Sequence, residues 1–123
     1  MKVEKEVIEL KMQNKYDEII NIAESLNIDE CDSSEMAHIF GKAYEKQKCI
    51  DKSVDWFLKS YELDTCDQKL GMLIGVSLAA KKYDFLQSKL EKIERNSNEK
   101  GFYFLAGKYQ LIYRNNLQID QEI

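Results

Sequence analysis

Few side chains in this chain of 123 residues carry reactive chemistry, and they are scattered. His38 is the single histidine. A lone imidazole with no nucleophile or orienting acid arranged around it reads as a hydrogen-bonding residue rather than a general base. Cys31, Cys49 and Cys66 are odd in number, widely spaced and without a CxxC pair, so they read as free thiols rather than a zinc or redox site. The neighbouring carboxylates Asp17-Glu18 and Asp29-Glu30 fall at helix starts and in a linker, where the positive end of a helix dipole favours them. Gly71 and Gly75 sit inside an apolar stretch, where close helix packing is their role, and form no phosphate loop. The expectation is a chain with no catalytic residue, no metal and no cofactor, one that is not an enzyme.

What remains is the chemistry of contact. Phe102, Tyr103, Phe104, Tyr109 and Tyr113 cluster near the C-terminal end, with Lys108 and Arg114 beside them. Phe102, Leu105 or Ala106, Tyr109 and Tyr113 recur at helical spacing, so they are expected to pack on the preceding helix. Tyr103, on another side, is the better ligand candidate. A missing final helix would leave part of the stripe open for dimerisation. Trp56 is expected to pack against a neighbouring unit.

The elements that must position these residues are helices. Residues 34 to 65 read as one helical hairpin: Ala37, Phe40, Gly41 and Tyr44 line one helix, and Ile50, Ser53 or Val54, Phe57 and Tyr61 line the next. Gly41 and Ser53 let the two axes approach, and Ser60 leaves room for the following helix. Four anchors, Tyr16, Ile50, Tyr83 and Leu117, follow polar pairs at separations of 34, 33 and 34 residues, which marks an internal repeat. The first helix, 3 to 13, turns Val3, Val7, Leu10 and Met12 inward; the second carries Ile19, Ile20, Ala23 and Leu26. A fifth helix, 67 to 80, is apolar on nearly all sides and is expected to be the most buried. The sixth, 84 to 95, is amphipathic through Leu86, Leu90 and Ile93, and the seventh runs from Glu99 to Arg114. Asp32 with Glu35, Thr65 with Gln68, and Asn96 with Glu99 read as capping boxes.

Composition sets the outer bounds. With 44% apolar and 33% charged residues the chain suits one domain, and no apolar run approaches the roughly 20 residues of a membrane span. A net charge of −4 argues against a nucleic-acid partner, which calls for a basic surface. The acidic excess lies in the first half of the chain, giving a mildly dipolar molecule. The N-terminus lacks the apolar core of a signal peptide, and a cytoplasmic protein is expected.

The central stretch resembles the tetratricopeptide repeat, whose unit is a helix-turn-helix of about 34 residues. Ala37, Phe40-Gly41 and Tyr44 correspond to the family's first-helix pattern of a large residue, Leu-Gly and Tyr. Ser53, Phe57, Ser60 and Thr65 correspond to the small, aromatic, small and closing proline positions, with Thr65 standing where the proline would be. Residues 14 to 26 and 81 to 93 match the turn and second helix only. The resemblance implies an all-α fold of about seven helices, with antiparallel helix-turn-helix units near 1–31, 32–65, 66–97 and an incomplete 98–123, stacked in a right-handed superhelix. It also implies a non-catalytic scaffold that grips a peptide or helix of a partner protein along a concave groove lined by the first helix of each unit. By position, the groove would hold Glu35, His38, Lys42, Glu45 and Lys46, then Met72, Val76 and Ala79, with Tyr103 and Lys108 at the far end. The family's clamp for a C-terminal carboxylate is not expected, because Ile39 stands near the place of its asparagine. The alternatives are an accessory or regulatory segment of a larger enzyme and a homodimerising device joined through the C-terminal helix.

Overall fold

The computed structural model describes the backbone of residues 2–96 and 101–122, and the side chains of 3–95 and 101–114. Among the described residues the chain is all-helical, with seven α-helices: α1 (Lys2–Met12), α2 (Tyr16–Glu24), α3 (Ser34–Lys46), α4 (Ile50–Leu63), α5 (Asp67–Ala79), α6 (Tyr83–Asn96) and α7 (Phe102–Glu122). A single 3-10 turn over Ile28–Glu30 bridges α2 to α3, with the Asn27 side chain accepting from the Asp29 amide.

Three turns share one backbone geometry. Asn14, Lys48 and Lys81 each adopt positive φ, at 57°, 63° and 59°. After each, the next amide reaches back five residues: Lys15 to the Leu10 carbonyl, Cys49 to Tyr44 and Lys82 to Ser77, at 2.9, 2.8 and 2.9 Å. The positive-φ residues themselves donate to the carbonyls of Lys11, Glu45 and Leu78. This paired arrangement is the Schellman cap, and it closes α1, α3 and α5 without a glycine. The residue that follows each pair, Tyr16, Ile50 or Tyr83, opens the next helix. The first three anchors of the sequence pattern are therefore three copies of one turn.

The fourth anchor behaves differently. Asn115-Asn116 lies within α7, which runs unbroken to Glu122, so no turn forms there; the Leu117 side chain lies outside the described residues. Nothing in the sequence there supplies a helix stop, since Asn is only a weak breaker and no proline intervenes.

The core forms two clusters that meet at α4. Trp56 belongs to the N-terminal one, where it meets Phe40 edge to face at 4.8 Å, with Val7, Ile19, Ala23 and Tyr44 around them. Val54 and Phe57 belong to the other, with Leu70, Leu73, Val76, Leu86, Leu90, Phe104 and Leu111. Burying two opposite sides of one helix is what joins the halves.

The α3–α4 hairpin is close-set because its contact residues are small. A Cβ on Gly41 would lie 2.9 Å from the Phe57 ring, and the buried Ser53 hydroxyl donates to the Gly41 carbonyl at 2.8 Å. At the other end Ser34 and Ser60 hydroxyls each donate to the other's carbonyl, at 2.8 and 2.9 Å. These bonds satisfy polar groups that burial would otherwise leave costly.

Several expectations are corrected. α3, not α5, buries the most residues, because α5 leaves Gly75 and Ala79 open. Met12 is exposed at the end of α1. The cap of α3 is Ser33, which accepts from the Met36 amide and donates to Glu4 of α1, rather than Asp32. Thr65 donates its hydroxyl to the Tyr61 carbonyl in the last turn of α4 and does not cap α5, which Cys66 precedes without a side-chain cap. The pair Asn96 and Glu99 lies outside the described residues.

Candidate functional site

One groove draws on α1, α3, α5 and α7 together. It is lined by Lys11, Glu35, His38, Gln68, Lys69, Met72 and Tyr103, with Gly71 in its floor. α3 and α5 both pack on α4, which leaves the groove between them. Lys69 spans it to Glu35 at 3.9 Å, and its side chain is mostly covered along the stem.

Two features seat Tyr103 in this groove. Gly71 has no Cβ, and one placed there would stand 2.8 Å from the Tyr103 ring, so the ring lies directly on the α5 backbone. The Asp67 carboxylate, at the start of α5, accepts the amides of Tyr103 and Phe104 at 3.0 and 3.4 Å. An acid from another helix thereby caps α7.

His38 meets Phe57 edge to face, with centroids 5.4 Å apart, and its buried Nδ1 has no hydrogen-bond partner among the described residues. Burial holds its imidazole below the usual range, and Lys69, Lys42 and Lys11 lower it further against the opposing pull of Glu35. The ring is therefore neutral near pH 7 in a locally cationic setting.

Of the residues singled out from the sequence for the groove, the structure brings Glu35, His38, Met72 and Tyr103 together there. Lys42 lies one turn beyond His38 on α3 and pairs with Glu45 at 3.6 Å. Lys46 is exposed in the last turn of α3. Val76 is turned the other way: at 2% exposure it is core, because its side of α5 faces the second cluster, so it cannot line a groove. Lys108 is elsewhere too, bound to Glu94 at 2.7 Å over a recess with Leu90 and Leu111. Sequence reasoning missed Lys11, Gln68 and Lys69. Their signal was available, since Gln68 and Lys69 lie about one turn before Met72 on α5.

The aromatic stripe on α7 is also corrected. Phe102, Tyr109 and Tyr113 are 74%, 78% and 61% exposed, and Leu105 is open beside them. The packed side is instead Phe104, Gly107 and Leu111. The glycines decide the rotation: Gly107 sits on Ile74, where a Cβ would come within 2.8 Å, and the helix approaches α5 on that face.

Among the described residues no helix is long and apolar enough to cross a membrane, and no cluster of His, Cys, Asp or Glu is placed to hold a metal ion. The cysteines are free, Cys31 buried and Cys49 exposed. The chain matches no protein-family model, no curated protein and no solved structure.

Proposed function

We propose that this chain is a non-catalytic interaction module of tetratricopeptide-like helical repeats, stacked as a right-handed superhelix, that binds an extended or helical segment of a partner protein in the groove of α1, α3, α5 and α7. The observation that carries this reading is that the groove draws its lining from the odd-numbered helices alone. That is the side on which a helix-turn-helix stack would present the first helix of each unit. The three matching turns support the same reading.

The groove's composition narrows the ligand. Met72 and the Tyr103 ring offer apolar contact, while Lys11 and Lys69 outnumber Glu35 among its charged residues. A segment with an apolar side chain next to a carboxylate would satisfy both. Selection from a random-peptide display library tests this. Enriched peptides should combine an apolar residue with Asp or Glu, shift the amide resonances of His38, Met72 and Tyr103, and bind Met72→Asp or Tyr103→Ala far less well. Enrichment of peptides that shift resonances only elsewhere would sink the proposal, as would no enrichment at all.

A further inference from the structure

The outward face of α7 is a second surface, adjoining the groove where the Phe102 ring meets Tyr103 edge to face at 5.4 Å. Phe102, Leu105, Tyr109 and Ile112 recur at three- and four-residue steps along it, with Tyr113 alongside, and each is at least half exposed. In the sequence the same spacing continues at Asn116 and Ile119. The opposite side of the helix is already committed to its own chain through Phe104, Gly107 and Leu111.

Three observations say what covers this face. First, Ala106, Tyr109, Gln110 and Tyr113 frame an open concavity, and their spacing is i, i+3, i+4 and i+7. That four-residue diamond is the shape into which a side chain of a facing helix inserts when helices pack knobs into holes. Second, the patch holds no charged residue in a chain that is 33% charged, and it is rich in Tyr and Phe. Charge depletion with aromatic enrichment marks the centre of a protein interface. Third, the area suffices: with about 200 Å² for each large side chain, the exposed fractions amount to roughly 600 Å² per copy, or about 1,200 Å² for two, the lower end of stable interfaces.

We propose that the occupant is a second copy of this chain, docked α7 against α7 about a two-fold axis. Both knobs and holes are then supplied by the same stripe, so the surface is self-complementary, as an isologous contact requires. Tyr103 marks the border with the groove: its ring lies on Gly71 on one side and meets the Phe102 ring edge to face at 5.4 Å on the other.

Sedimentation of the full chain over a concentration series provides the test, with Tyr109→Glu and Tyr113→Arg as variants and Met12→Glu, at the exposed end of α1, as the control. The expected result is a monomer–dimer equilibrium whose dissociation constant rises about tenfold or more in each α7 variant and stays unchanged in the control. Circular dichroism should show all three as folded as the parent, since each replaced side chain is exposed. A monomer at every concentration would give the face to a different partner and overturn the proposal. So would a dimer that survives both α7 variants, one weakened equally by Met12→Glu, or an open-ended series of larger species.

Discussion

The carboxylate of Asp67 accepts the amide of Tyr103 at 3.0 Å, so the first residue of α5 serves as the cap of α7, 36 positions along the chain. Gly101, which precedes α7, has no side chain to cap with, and a Cβ there would collide with the same carboxylate. The tie fixes where α7 begins and places one side of it in the groove and the other in solvent.

Removing that tie should be measurable. Asp67→Ala should lower unfolding stability by about 1 kcal/mol, as loss of an N-cap does, whereas Asp67→Asn should retain most of it. Urea titration followed by circular dichroism reads both. Equal stability of the Ala variant and the parent would mean that the bonds to Tyr103 and Phe104 contribute nothing.

Two glycines in comparable helix positions should respond in opposite directions. Gly41→Ala forces a methyl against the Phe57 ring, itself buried and unable to yield, and should cost about 1–3 kcal/mol. Gly75→Ala meets nothing within 4 Å and should stabilise its helix by about 0.5–1 kcal/mol. Thermal melts of the pair would reveal any failure of this reading, most plainly if both shifted the midpoint the same way.

The helices were legible because their signals are local. Apolar spacing marks α2, α4 and α6, and the polar pairs before Tyr16, Ile50 and Tyr83 mark turns that recur at nearly constant separation. Gly41 and Ser53 could be picked out as small contact residues because their partners follow within the same hairpin. The site was less legible. Which face of α7 packs depends on Asp67 and Ile74, both on α5 and more than 30 residues away, and neither leaves a trace in α7's own periodicity. α7 is apolar on more than one side, and spacing favoured Phe102, Tyr109 and Tyr113 over the side of Phe104 and Leu111 that packs. Val76 failed for a related reason: α5 is apolar almost all round, and only its neighbours decide which side is open. The capping box at Asp32 failed because Ser33 competes with it within one residue, and the structure uses the serine.

The shared turn geometry makes its own prediction. Lys48 and Lys81 hold left-handed conformations that disfavour a side chain with a Cβ by about 1–2 kcal/mol. Both are exposed. Lys48→Gly and Lys81→Gly should therefore each stabilise the fold by up to about 1 kcal/mol, part of the gain being offset by the freer unfolded chain. Asn14→Gly should gain less, since Asn tolerates that conformation better. A loss of stability in both lysine variants, read by chemical denaturation, would count against the turn assignment.

The last prediction concerns pH. His38 is held neutral by burial, with Lys69 of α5, Lys42 of its own helix and Lys11 of α1 opposing its protonation and Glu35 favouring it. In the unfolded chain the imidazole takes up a proton near its ordinary pKa of about 6.5. The folded form resists until lower pH, so the unfolded state binds more protons in between, and stability falls as pH drops through that window. Above it the contribution is fully present; below the lowered folded value the loss ceases. The parent should thus lose stability on going from pH 7 to pH 5, and His38→Gln should lose less, because carboxylates are common to both proteins. Melting midpoints measured across that range decide the matter: parallel curves for parent and variant would show that His38 does not titrate differently in the two states. An acidic peptide seated in the groove should lessen the dependence, since its carboxylate would offset the lysines that oppose protonation of the ring.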